Sequence, residues 1–269
     1  FSMTLAKKLL MGSGTKTKPY VEFVSSTPMT ITPKYTNSGV TLQYSLDGST
    51  WTTIATDATT PSANIIYFRG SATGAKSLFT ANSTSNAWIF TGATNLEVIG
   101  NINMLIQDVL GDNISDMQLG VFAFNNMFYN CTSLVKAPDL PSTTLASNCY
   151  NSMFFGCTGL TTAPALPATT LANYCYRDMF NGCKGLTVAP VLPATTLANN
   201  CYQSMFYGCT KIKLSTTLTG IYDTAYRIPT TGTGITATDA LTDMFLGTGG
   251  TFKGTPTINT TYYTENQVI

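Results

Sequence analysis

CYNSMFFGCTGLTTAPALPATTLA, residues 149 to 172, returns as CYRDMFNGCKGLTVAPVLPATTLA at 175 to 198, and a third start, CYQSMFYGC, stands at 201 to 209. How this unit is read decides the fold. Cysteines fall at 131, 149, 157, 175, 183, 201 and 209, so gaps of 18 and 8 alternate and the period is 26. Met-Phe pairs keep the same period at 127, 153, 179 and 205, and the frame L-x-x-A-P-x-L-P keeps it through Pro138 and Pro141, Pro164 and Pro167, Pro190 and Pro193. Self-similarity at such a period means stacked structural units, each burying its apolar face only against its neighbours.

Each part of the unit carries a local expectation. Thr143-Thr144, Thr169-Thr170 and Thr195-Thr196 read as helix N-caps. Over 145 to 155, helical geometry puts Cys149, Met153 and Cys157 within about 80° of one another, with Tyr150 and Phe154 beside them, as one apolar stripe. Asn151, Ser152 and Phe155 fall off that stripe and read as a solvent face. Gly156, Gly182 and Gly208, with Asn130 in the same place of the first copy, read as left-handed residues closing each helix. The extended piece points Leu134, Ala137 and Leu140 and their equivalents inward, while two prolines per unit remove ladder donors and predict very short strands. A short strand plus a short helix in 26 residues falls in the range of leucine-rich repeats. The predicted class is therefore α/β, a leucine-rich-repeat solenoid.

Degenerate copies flank the regular ones, which run from about 127 to 214. LGVFAFNNMF at 119 to 128 resembles a cap, DMFLGT at 243 to 248 matches SMFYGC with threonine for the second cysteine, and TFKGTPTIN at 251 to 259 echoes the proline frame. Residues 215 to 240 break the period, and GIYDTAYRIPTTGTG at 220 to 234 reads as a hairpin or loop. Before the repeats the rhythm differs. YVEFVS, MTITPKY, VTLQYSL, STWTTI, NIIYFRG, NAWIFTG and LEVIGNI are short and rich in branched and aromatic residues, with a hairpin across Asp47-Gly48. The predicted organisation is a segment over 1 to 18, a small all-β sandwich-like module over 19 to 100, and the solenoid with degenerate caps over 101 to 269.

Composition excludes several function classes. Charged residues are 10% of the chain and the formal net charge is +1, which leaves no basic footprint for nucleic acid. No apolar run approaches the roughly 20 residues of a spanning helix. The chain holds no histidine, which removes Ser-His-Asp and Cys-His catalysis and histidine-ligated zinc. Asp108, Asp112 and Asp116 read as turn and cap chemistry around GDNISD and depart from a calcium loop. FSMTLAKKLLMGSG lacks the features of an export signal, so either a signal precedes Phe1 or Met3 lies close to the natural start.

Metal sites place cysteines two to four residues apart, whereas here the local spacing is eight. On a helix that separates Cys149 from Cys157 by about 12 Å along the axis, too far for a shared ion or a local disulfide. Cys149, Cys157, Cys175, Cys183, Cys201 and Cys209 therefore read as structural, in ladders of buried thiols, with disulfides between neighbouring units left open. Catalytic, metal and cofactor sites are expected to be none. Binding candidates are the positions that vary within the extended pieces and would line a concave face: Val135, Lys136, Asp139, Thr161, Thr162, Ala165, Thr187, Val188 and Val191. Tyr129, Phe155 and Tyr207, off the stripe, are further contact candidates.

The unit CYxxMFxGCTxLxxAPxLPATTLA resembles the BspA-like leucine-rich repeats of bacterial surface proteins, found in gut bacteria and their phages. The likeness is strong over about 119 to 214, and LQYSLDGSTW, IIYFRG and FTG look like the β module that often precedes such repeats. The resemblance implies a right-handed β/α solenoid, a role in adhesion or recognition, and no catalytic residues. The use of L-x-x-A-P-x-L-P departs from the commoner L-x-x-I-x-I-P strand. The expected function is a non-enzymatic recognition or adhesion protein, extracellular or at the cell surface, binding a protein or glycan on a host or neighbouring cell. A virion component, such as a tail-fibre or receptor-binding protein, is the alternative and an enzyme a distant third. No nucleic-acid partner and no membrane insertion are expected.

Overall fold

A computed structural model describes residues 18–74, 76–80, 86–107, 117–215, 237–249 and 263–265. The N-terminal segment to residue 17, the three aspartates at 108, 112 and 116, the stretch 220–234 and the proline echo at 251–259 lie outside the described residues.

Seven strands form one open mixed sheet: β1 (Val21–Thr32), β2 (Val40–Ser45), β3 (Thr52–Ile54), β4 (Ala63–Ala72), β5 (Ile89–Thr91), β6 (Leu96–Ile99) and β7 (Leu134–Lys136). Their order is β3-β2-β4-β1-β6-β7, with β5 pairing the far end of β1. The sheet is a single open layer where a sandwich is expected from the sequence. YVEFVS and MTIT join in one strand, β1, whose register shifts between Val24 and Met29, letting one end pair β4 and β6 and the other β5. Val21, Phe23, Leu42, Ile66, Phe68 and Val98 alternate inward and are buried, with Trp88, Phe79 and Leu105 also in that core. The last strand of the sheet comes from the first repeat: β6 and β7 run parallel, Leu96 opposite Leu134. A separate antiparallel pair joins β8 (Lys213–Ser215) to β9 (Tyr263–Glu265).

The repeats correct the α/β leucine-rich-repeat solenoid expectation. No α-helix occurs among the described residues, and Ile102–Leu105 forms a single turn of 3-10 helix. Where helices are expected, the backbone is left-handed at every fourth residue: Asn148 (φ 59°), Ser152 (φ 53°) and Gly156 (φ 69°), then Tyr174, Asp178 and Gly182, then Asn200, Ser204 and Gly208. A left-handed residue in mid-segment ends an α-helix after each turn. Hydrogen bonds follow the same beat. The amides of Cys149, Asn151, Met153, Phe155 and Cys157 each donate three residues back, at 3.1 to 3.3 Å. Those of Asn148, Tyr150, Ser152, Phe154 and Gly156 donate across to Asn173, Cys175, Arg177, Met179 and Asn181 of the next copy, at 2.7 to 3.1 Å. Each copy is thus a run of tight turns hydrogen-bonded to its neighbour as a rung. Two further readings fail with the helix: Asn151, placed on a solvent face, is buried, and Thr143, Thr169 and Thr170 join neighbouring rungs through backbone bonds, with a parallel bridge between Thr144 and Thr170.

Aromatic columns run through the stack. Phe90, Phe128, Phe154, Phe180, Phe206 and Phe245 lie ring over ring with centroids 5.5 to 5.7 Å apart. Phe124, Tyr150, Tyr176 and Tyr202 form a second column at 5.9 to 6.1 Å. Such pairs add roughly 0.5–1.5 kcal/mol each beyond area burial. Phe90 belongs to β5, so the first column starts in the sheet. Donors from residues 77–88 also cover the first rung's carbonyls: Leu78 N–H to Ala123, Trp88 N–H to Met127 and the Ser77 hydroxyl to Val121. Sheet and rungs share one continuous core.

Candidate functional site

Between the extended pieces of two rungs lies an open trough. One part, about 280 Å³, is lined by Thr161, Thr162, Ala163, Thr187, Val188, Ala189 and Pro190. The other, about 360 Å³, is lined by Ala163 to Pro167 and by Pro190, Val191 and Pro193. The parts share Ala163 and Pro190 and carry no charged side chain. Leu160, Leu166, Leu186 and Leu192 are buried and anchor these pieces, with Leu166 also bordering the trough. The rungs approach so closely behind the trough that a Cβ at Gly185 would stand 2.6 Å from the Leu160 carbonyl oxygen. Only glycine fits there.

Of the nine sequence candidates, the trough brings together Thr161, Thr162, Ala165, Thr187, Val188 and Val191. Thr161, Thr162, Ala165 and Val191 are exposed, while Thr187 and Val188 are half-buried. Val135 and Lys136 lie in β7 on the preceding rung, and Asp139 bridges to Asn101; none of the three lines the trough. Tyr129 and Phe155 stack at 4.6 Å and do not line the trough, and Tyr207 is exposed.

The cysteines are buried free thiols. The thiols of Cys157, Cys183 and Cys209 donate to the carbonyls of Phe128, Phe154 and Phe180 of the preceding rung, at 3.0 to 3.1 Å. Burial pushes the Cys149 and Cys183 thiols up to about 12 and Cys201 to about 11. A thiol so protonated is neither nucleophile nor metal ligand at neutral pH. Among the described residues no group of three or more His, Cys, Asp or Glu side chains converges as a metal site, and no helix is long and apolar enough to cross a membrane.

A cluster on the outer face of the sheet escaped sequence reasoning. Tyr20, Trp51 and Tyr67 are half-buried, with ring centroids 5.9 Å (Tyr20 to Trp51) and 5.1 Å (Tyr20 to Tyr67) apart. The Arg69 guanidinium sits 4.1 Å from the Trp51 ring centroid, and its Nε donates to Gln43 Oε1 at 2.9 Å. The cross-strand partners Gln43 and Arg69, and Ser45 and Tyr67, build this face from β2 and β4. The detectable signal was period two: Tyr67 and Arg69 alternate with the buried Ile66 and Phe68.

No protein-family model, no curated protein and no solved structure matches this chain.

Proposed function

We propose that this chain is a non-enzymatic, surface-displayed recognition protein that holds an uncharged, extended segment of a protein or glycan partner in the trough across residues 161–167 and 187–193. One observation carries the reading: positions that differ between otherwise repeated pieces, Thr162 and Val188, Ala165 and Val191, gather along one open trough, while the repeated Leu160, Leu186 and Leu192 are buried and take no part in its lining. Repeat proteins separate scaffold from contact surface in this way. Small apolar and hydroxyl-bearing linings favour a neutral partner, since a charged group placed there would lose water without gaining a counter-charge.

The test compares the full chain with the trough-filling variant Thr162→Arg/Val188→Arg on an array of extracellular-matrix proteins and glycans. The expected result is at least one signal that the variant loses while its thermal midpoint is unchanged. Signals equal in both proteins would overturn the assignment to the trough. A turnover abolished by replacing a single carboxylate would overturn the non-enzymatic reading.

A further inference from the structure

From the outer face of the sheet we infer a second, independent site, in which Trp51, Tyr20 and Tyr67 stack a neutral pyranose sugar and Gln43 and Arg69 bind its hydroxyls. Tyr20 lies within 6 Å of both Trp51 and Tyr67, and the three half-exposed rings on the sheet face offer flat surface of the kind that the C–H face of a pyranose covers. The polar atoms around them are unspent. Among the described residues nothing accepts from Trp51 Nε1, from the Tyr20 and Tyr67 hydroxyls or from Gln43 Nε2, whereas the buried Trp88 donates its Nε1 to the Lys34 carbonyl at 2.8 Å. Gln43 and Arg69 hold each other in place through the Nε bond, and the hairpin turn carries Gly48 up to the rings: a Cβ there would lie 3.8 Å from Tyr67.

The chemistry selects among occupants. An apolar protein face would bury these donors without partners, at roughly 1–3 kcal/mol each. A polyanion would find a balanced patch, because Lys18 is paired with Glu22 and the Asp47 carboxylate accepts the Ser49 and Thr50 amides beside the single guanidinium of Arg69. A sugar meets both requirements at once, giving apolar C–H surface to the rings and hydroxyls that donate and accept to the polar rim.

The experiment titrates tryptophan emission of the full chain with neutral oligosaccharides: β-linked glucan, galactan and N-acetylglucosamine series. The chain has two tryptophans and Trp88 is buried, so a response reports Trp51. At least one series is expected to give a saturable response. Tyr67→Ala should weaken it at least ~10-fold and Gln43→Ala several-fold, with the thermal midpoint and Trp88 emission unchanged. Trp51→Phe, followed by calorimetry, should retain part of the affinity because a ring face remains. The absence of a saturable response to every series, affinity unchanged in Tyr67→Ala/Gln43→Ala, or a preference for single-stranded oligonucleotide over all sugars would each overturn the inference. Thr162→Arg/Val188→Arg should bind the sugar normally, so failure here and failure of the trough are told apart.

Discussion

Ser204 distinguishes a turn-built rung from a helix by the sign of one comparison. Its φ is 52°, it is half-buried, and its hydroxyl makes no hydrogen bond among the described residues, so replacing it perturbs little besides the backbone preference. In a left-handed position a Cβ costs roughly 1–2 kcal/mol, and glycine escapes this at a cost of about 0.4–1 kcal/mol in unfolded-chain entropy. Ser204→Gly should therefore be more stable than Ser204→Ala by about 0.5–1 kcal/mol. In a helix interior the order reverses, alanine being favoured by about 1 kcal/mol, so the two structures differ by a swing of about 1.5–2 kcal/mol. Urea unfolding followed by tryptophan emission reads this directly. With the slope of the transition unchanged, the glycine variant should have the higher midpoint. An alanine variant more stable than the glycine variant would refute the left-handed assignment and restore the helix.

Other expectations follow from the stack and the hairpin. Phe180→Ala, fully buried between Phe154 and Phe206, should cost about 3–5 kcal/mol, read by chemical denaturation. Tyr202→Phe should stabilise by about 1 kcal/mol, because the Tyr202 hydroxyl is buried with no partner among the described residues and Phe124 already fills the same column place; a lowered midpoint would contradict this. Thiols raised from 9.0 to about 11–12 hold their proton more tightly when folded, so stability is fully present below about pH 9 and is lost as pH rises toward 12. The slope should reach about 1.4 kcal/mol per pH unit for each such thiol, and Cys149→Ala should flatten it. Asp47→Ala should lower the thermal midpoint more than Asp47→Asn, since the carboxylate oxygen accepts the Ser49 and Thr50 amides and an amide oxygen can do the same.

The period, the Asp47-Gly48 hairpin and the inward leucines were legible because each depends on local spacing or on a residue with one conformational use. The helix error has a physical origin. Apolar pairs recur every four residues, at 149–150 and 153–154 and again at Cys157, and four steps of 100° drift only 40° per turn. Over one short unit a period of four passes for 3.6. What distinguishes them is the left-handed set between the pairs, Asn148, Ser152 and Gly156, then Tyr174, Asp178 and Gly182. Asparagine, aspartate and glycine tolerate that conformation, but serine and tyrosine do not advertise it; the Ser152 and Tyr174 amides bond to the next rung and their carbonyls accept from Phe155 and Arg177 of their own rung. The trough was half legible for a similar reason: variability marked its residues, while the close approach of the rungs at Gly185 depends on the neighbouring copy. The sheet-face cluster needed strand pairing, since Trp51, Tyr67 and Tyr20 are far apart in the chain.

Across the tight turns the backbone bonds between rungs run one way, while the Cys157, Cys183 and Cys209 thiols and the Thr169 and Thr170 amides donate to the preceding rung. From Asn148 to Gly156 every second N–H points toward the following copy and its carbonyl partner points back, and the same holds from Phe122 to Asn130 and from Asn200 to Gly208. Peptide dipoles that cancel in an antiparallel sheet therefore add along this stack, making it electrically a rod with a carbonyl-rich tail and an amide-rich head. End-to-end growth by such contacts can only be head-to-tail. Leu78, Trp88 and Ser77 already occupy tail acceptors, so the N-terminal sheet covers carbonyls at that end of the stack that a second copy would otherwise meet.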